Sequence, residues 1–351
     1  MARAPTIRQI AQTLGMSPST VSQALNNKGS LRPETRERVI AKAKEMGYYS
    51  PSDPFGVDRV LSGRPIWFWP SGLHELPSGF ELAGFPQQVW QGAQDVFEPY
   101  RIVLQLVGEK ELRAGVPGDV AGTIVTGGNV NQEMSEMLCA SDRPTVIVGA
   151  HEGGETGICC VECDLAEGIR LAVQHLHELG HRHIGFVNGP LTWRTSNQKL
   201  TGFVRSAFDF NLPHHYITRV ADPWNTADVT ALLKSLLASE WKQVTAIVGA
   251  YESIGIAALR AAKALGMDVP TDLSVVTCHD EGTACSSEPP LATVALPVVR
   301  MGKLAALLVV SATRNNDVIG TRFVVQPALV VRESTAPPNR RTEGVLHALR
   351  D

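Results

Sequence analysis

Residues 6 to 26 read T-I-R-Q-I-A-Q-T-L-G-M-S-P-S-T-V-S-Q-A-L-N. Ile7, Ile10, Ala11 and Leu14 recur at helical spacing and Gly15 follows as a stop, so the start of this stretch reads as a short amphipathic helix. After the Gly15-Met16 turn, Ser17 suits an N-cap and Pro18 the first helical position, while Val21 and Leu25 lie four apart on one edge. Two short helices flanking a tight turn make a helix-turn-helix. The second helix is poor in charge and rich in hydroxyls, and its remaining side chains, Pro18, Ser19, Ser22 and Gln23, face away from the buried edge. A third helix is signalled over 33–47, P-E-T-R-E-R-V-I-A-K-A-K-E-M-G, with an acid early, bases late and a terminal glycine.

Charge sharpens this reading once it is divided along the chain. Residues 1–50 hold eight basic and three acidic side chains, a net +5, whereas the whole chain of 351 residues carries −3, which leaves −8 for the rest. A basic head on an acidic body is suited to meeting a polyanion. Three short helices sharing one small core can present the second of them to a major groove. With 44% hydrophobic and 19% charged residues the composition is that of a globular protein large enough for two or three domains. The start lacks the apolar core of a secretory signal, and the expected location is cytoplasmic, with no membrane partner.

The run from Thr6 to Asn26, followed by R-P-E-T-R-E-R-V-I-A-K-A-K-E-M-G-Y at 32–48, resembles the DNA-binding head of the LacI family of transcriptional regulators. The resemblance implies a double-stranded, approximately palindromic operator as partner. It puts Pro18, Ser19 and Gln23 at the positions that read sequence, and Thr6, Ser17, Thr20, Ser22 and Asn26 among the DNA contacts. Gln23 stands where the family usually has arginine, so an arginine-to-guanine contact gives way to a glutamine-to-adenine one.

Beyond residue 64 short apolar runs at 101–107, 123–125, 145–148, 184–187, 246–248 and 273–276 alternate with helical patterns such as 165–179 and 253–265. Alternation of this kind implies parallel sheets covered by helices on both faces. Segments D-V-A-G-T-I-V (119–125), D-L-A-E-G-I-R-L-A-V-Q-H-L-H-E-L-G-H-R-H-I-G-F (164–186), A-L-R-A-A-K-A-L-G-M-D-V-P-T-D-L-S-V-V (258–276), P-P-L-A-T-V (289–294) and P-A-L-V-V-R-E-S (327–334) resemble the family's effector-binding core, which is similar to periplasmic sugar-binding proteins. The fold class expected is therefore a small all-α helix-turn-helix head on a two-lobed α/β core with parallel sheets. Its expected boundaries are a head at 1–49, a hinge or linker at 50–64, a core at 65–335 and a flexible tail at 336–351. Within the core, lobe 1 is expected at 65–162 plus 292–322 and lobe 2 at 163–291 plus 323–335.

A cleft between lobes suits a small-molecule effector. Carried over position by position, the family's ligand contacts fall on Asp164, Lys199, Trp224, Tyr251, Glu252, His279 and Asp280, with Phe85 as a wall residue from lobe 1. Lysine replaces the family's arginine at 199, Tyr251-Glu252 replace its Asn-Asp pair, and His279 replaces an aspartate. Fewer carboxylates leave fewer acceptors for sugar hydroxyls, so the expected effector is a sugar or another small polar metabolite, with an aromatic, acidic or phosphate-bearing molecule favoured by the substitutions. The resemblance also makes Leu61, in V-D-R-V-L at 57–61, a wedge for the minor groove. Pro54, Gly56 and Asp58 work against that hinge helix, and a flexible linker is the alternative.

Other motifs carry less. Cys160 and Cys163 form a C-x-x-C without a second one, so buried free thiols are expected rather than a metal centre. His175 and His177 are two apart on a helix and point to different faces. No metal or cofactor is expected. An enzyme using Asp164, Glu252, His279 and Asp280 as acids and bases is the alternative function, although G-x-S-x-G, P-loop and H-E-x-x-H motifs are missing. A transport component would need an export signal and would leave the head unexplained. The expected assembly is a homodimer, in keeping with the resemblance, and the tail with Val345, Leu346 and Leu349 is too short for the sustained heptads of a tetramerising coiled coil.

Overall fold

The computed structural model describes residues 5–25, 31–46, 48, 57–61, 63–71, 75–76, 80–126, 130–141, 143–149, 158–213, 216–280, 282–314 and 320–339. Asn26, residues 50–56 and the tail from 340 lie outside the described residues.

The head is three helices, α1 (Ile7–Leu14), α2 (Pro18–Leu25) and α3 (Pro33–Glu45). Thr6 starts α1 with a reciprocal capping box: its hydroxyl accepts from the Gln9 N–H at 3.3 Å, and the Gln9 side chain accepts from the Thr6 N–H at 2.7 Å. Gly15 ends α1 in the left-handed region at φ 67°, where a side chain would be strained, and the Met16 N–H returns to the Ala11 carbonyl at 2.9 Å. Ser17 Oγ then caps α2, accepting from the Thr20 N–H at 3.1 Å. Ile10, Ala11, Val21, Ala24, Val39 and Ala43 form the shared core.

A short helix, α4 (Val57–Leu61), leads into β1 (Ile66–Pro70), α5 (Gly84–Phe97), β2 (Leu104–Leu106), α6 (Glu109–Arg113), β3 (Gly122–Thr126), α7 (Gln132–Cys139), β4 (Thr145–Val148) and β5 (Cys159–Cys163). The chain then crosses into α8 (Leu165–Glu178), β6 (Ile184–Asn188), α9 (Arg194–Asp209), β7 (Ile217–Arg219), α10 (Thr226–Ala238), β8 (Ala246–Gly249), α11 (Glu252–Ala264), β9 (Ser274–Cys278) and β10 (Ala292–Ala295). It returns through α12 (Val298–Arg314) and β11 (Arg322–Val325), and crosses a third time to β12 (Ala328–Val330).

The lobe 1 sheet has strand order β11-β5-β4-β3-β1-β2 and the lobe 2 sheet β12-β10-β9-β8-β6-β7. Every pairing is parallel except β10 with β12. Central strands such as β1, β3 and β4 are buried along their whole length, as a sheet covered on both faces requires. Two of the expected lobe limits shift by one strand. Residues 292–295 pair with β9 and belong to lobe 2, and Arg322–Val325 pair with β5 and belong to lobe 1, so the crossings fall at 296–297 and 326–327. Strand pairing decides which lobe a short apolar run joins, and the run itself does not show its partner.

Lobe 1 is held by α5 against α12. A Cβ on Gly92 would sit 2.0 Å from the Val299 carbonyl oxygen, and one on Gly302 2.2 Å from that of Val89. The two backbones approach so closely that only glycine fits at the crossing. Leu61, expected as a minor-groove wedge, is placed inside lobe 1 in this structure. Leu61 has no exposed surface and lies with Val57 in the lobe 1 core, on a helix whose Leu61 and Val60 carbonyls accept from Arg64 at 3.1 and 3.3 Å. A minor-groove wedge has to project into solvent, and in this arrangement the leucine instead fills the lobe.

Candidate functional site

On the head, α2 presents Pro18, Ser19 and Gln23 as exposed residues, with Thr20 and Ser22 half-buried beside them. The Thr20 hydroxyl lies 2.8 Å from Ser17 Oγ, so both are engaged in the cap, as Thr6 is in its own. Capping holds the start of α2 rigid and leaves its outer face without charge, while Arg8, Arg32 and Arg38 are exposed on neighbouring elements. Arginines around a neutral face suit phosphate attraction around a base-reading surface.

Between the lobes lies a cavity of about 680 Å³. Its lining follows the carboxyl ends of the strands: Ser71 after β1, Gly149 after β4, Cys163 at the end of β5, Trp193 and Arg194 after β6, Trp224 after β7, Tyr251 and Glu252 after β8, His279 after β9 and Leu296 after β10. Open α/β sheets place ligands at that end because strand ends and helix starts converge there. Of the expected contacts, Phe85, Trp224, Tyr251, Glu252 and His279 line the cavity, and Asp164, Lys199 and Asp280 do not.

Each displaced residue has a structural use. Asp164 caps α8, its carboxylate accepting from the Glu167 N–H at 3.0 Å. Asp280 pairs with Arg332 at 2.7 Å. Lys199 is fully buried, donates to the Ala250 carbonyl at 2.7 Å, sits 3.7 Å from the Tyr251 ring centroid and reaches His279 Nε2 at 3.1 Å. An ammonium has only donors, so His279 accepts at Nε2 and its ring proton is on Nδ1. His279 itself is held at φ 73° and stacks on Tyr251 with centroids 5.7 Å apart. A non-glycine residue in that region carries strain that its surroundings must hold in place, here beside the cavity. Glu252 accepts the Ala284 N–H at 2.7 Å. The acids of the enzyme alternative are thus dispersed over a cap, an ion pair and a backbone bond.

Sequence reading missed Trp193, Arg194, Ser253 and Arg260. Their signal was position, directly after β6 and at the start of α11 or along it, once the strands are placed. Trp193, Trp224 and Tyr251 form one ring cluster, with centroids 5.3, 5.7 and 6.1 Å apart.

The cysteine motif is divided by the pleat. Cys160 packs on one face of β5 and Cys163 on the other, so the pair cannot ligate one ion. Burial pushes Cys160 up to about 11 and Cys163 up to about 12, which keeps both as thiols. His181 is buried against Thr245 Oγ1 (2.8 Å), Ser274 Oγ (3.1 Å) and the Ala336 carbonyl (2.9 Å), and tethers the chain's last described segment to lobe 2.

A helix-turn-helix head joined to a two-lobed core with an interlobe cavity defines the class of ligand-responsive DNA-binding regulators. Residues 6–51 match the model of bacterial regulatory proteins of the lacI family, and 173–335 match a periplasmic binding protein-like domain. The chain is 30% identical over 350 residues to the HTH-type transcriptional regulator reg1 of Streptomyces lividans, covering 94% of this chain and 96% of that one. Among solved structures it resembles the transcriptional regulator CelR in its cellobiose complex, at 25% identity and TM-score 0.67 over 94% of this chain and 99% of the other. The lac repressor dimer bound to operator and the anti-inducer ONPF shares the fold, at 20% identity and TM-score 0.66 over 95% and 100% of the chains. The chain belongs to the LacI family and is a DNA-binding transcriptional regulator, not an enzyme.

Proposed function

We propose that the protein is a homodimeric repressor, acting in the cytoplasm where bacterial DNA lies, whose affinity for an approximately palindromic operator is set by a small molecule held between the lobes. The observation that carries this reading is the pairing, in one chain, of the uncharged exposed face of α2 with a cavity of about 680 Å³ built at the strand ends of both lobes. Pro18, Ser19 and Gln23 read base edges, and Arg8, Arg32 and Arg38 attract the phosphates. A ligand touching both Phe85 of lobe 1 and Trp224 of lobe 2 has different contacts in open and closed lobes, and that difference is what shifts the spacing of two heads. Two heads related by a two-fold axis require two related half-sites.

Selection of DNA fragments from a random library by the full-length protein tests the reading. The expected result is enrichment of one motif with two inverted half-sites, bound with an affinity that changes on adding a cavity ligand. Enrichment of no motif, or of a motif without inverted symmetry, overturns it.

A further inference from the structure

The cavity is lined by rings and hydroxyls and is poor in carboxylates and amides. Trp193, Trp224 and Tyr251 form its lobe 2 wall, Phe85 faces them from lobe 1, and Trp224 is 62% exposed, a large apolar surface left uncovered. Such a wall fits a flat ring, whether an aromatic system or the face of a sugar, so the polar lining decides between them.

Sugar hydroxyls are donors as well as acceptors, and a site that selects them supplies carboxylates or amides to receive their protons. Among the described residues the lining contains no Asp, Asn or Gln, and its one carboxylate, Glu252, already accepts the Ala284 N–H. The ammonium of Lys199 does not reach the cavity: it is fully buried behind Tyr251, against Ala250 and His279. Arg194 and Ser253 line the cavity, and Arg194 Nε and Ser253 Oγ, buried beneath that lining, have no hydrogen-bond partner among the described residues. Arg260 adds a second guanidinium, whose Nη1 donates to Thr226 Oγ1 at 3.0 Å. An unsatisfied buried donor is costly, and a guanidinium fork is matched by a planar two-oxygen anion or a phosphate. The starts of α9 and α11 open onto the same space and reinforce the positive field.

We infer that the effector is a ring-bearing organic anion, its ring on the Trp193-Trp224-Tyr251 wall and its carboxylate or phosphate on Arg194 and Ser253. The inference rests on the proposed reading of the cavity as the effector site, and names the ligand class for it.

The test titrates the full-length protein with 4-hydroxycinnamate and phenyl phosphate as anionic probes, cinnamyl alcohol as a neutral ring, and glucose and cellobiose as neutral sugars. Affinity is read by calorimetry, and ring contact by tryptophan fluorescence. The expected result is binding of at least one anionic probe more than tenfold tighter than cinnamyl alcohol, with the two anions distinguishing carboxylate from phosphate. Arg194→Gln is expected to abolish that preference while Trp224→Phe retains it, and circular dichroism of both variants checks the fold. Tighter binding of either sugar than of both anions, binding of neither anion, or a preference for anions that survives in Arg194→Gln overturns the inference. The regulator reading fails separately, if a ligand shown by tryptophan quenching to occupy the cavity leaves operator affinity unchanged.

Discussion

At the residue scale the two ends of the molecule are specified differently. Gln23 is exposed on α2 and its amide presents a donor and an acceptor side by side, the pattern that matches adenine in the major groove. Gln23→Ala is expected to leave the head folded and to relax preference at one base pair per half-site by about 1–3 kcal/mol. A binding competition between operator variants measures this, and an unchanged preference removes the assignment. In the core, side-chain identity misleads unless the neighbours are known. Asp164, Lys199 and Asp280 are charged residues at the right places in the sequence, yet they end as a helix cap, a buried brace behind Tyr251 and one half of an ion pair. Arg194, which the sequence hardly marks, is the guanidinium that borders the cavity with an orphaned Nε.

At the element scale the sharpest expectations concern α4 and the α5-α12 crossing. Because Leu61 is fully buried with Val57 in the lobe 1 core, Leu61→Ala is expected to destabilise the protein by about 2–5 kcal/mol through the cavity it leaves. Urea denaturation reads the loss; a leucine serving only as a groove wedge would leave stability unchanged and alter DNA bending alone. Gly302→Ala places a methyl group 2.2 Å from the Val89 carbonyl oxygen, so α5 and α12 must separate. A loss of about 1–3 kcal/mol or more is expected, with lobe 1 protons showing faster hydrogen exchange than those of lobe 2. Most elements themselves were legible: the runs at 145–148, 184–187 and 246–248 became β4, β6 and β8 almost to the residue. β5 was not, because its C-C-V-E-C sequence suggested chemistry before it suggested a strand. The edge strands β7, β11 and β12 were hidden by their shortness and partial exposure.

At the scale of the whole molecule, three crossings join the lobes, and His181 fastens the segment around Ala336 to lobe 2. Burial pushes His181 down to about 4 from 6.5. The unfolded chain therefore takes up a proton that the native state resists, and stability present above pH 6.5 is lost progressively as pH falls towards 4. The loss over that window is about 3 kcal/mol from this group. Burial also lowers His175, adding in the same direction. Urea midpoints at pH 7 and pH 4.5 should differ accordingly, and His181→Gln should be less stable at pH 7 with a shallower pH dependence. The sequence by itself determined what depends on near neighbours. Capping residues, the Gly15 turn and apolar spacing settle the head, since each acts within four or five positions, and alternation of strands and helices settles the parallel architecture. Only the tertiary structure decided which lobe owns β10 and β11, where Leu61 is buried, and which polar groups face the cavity. Those outcomes depend on pairing and packing between residues far apart in the chain, and a side chain's chemistry is unspent only when no distant partner has claimed it.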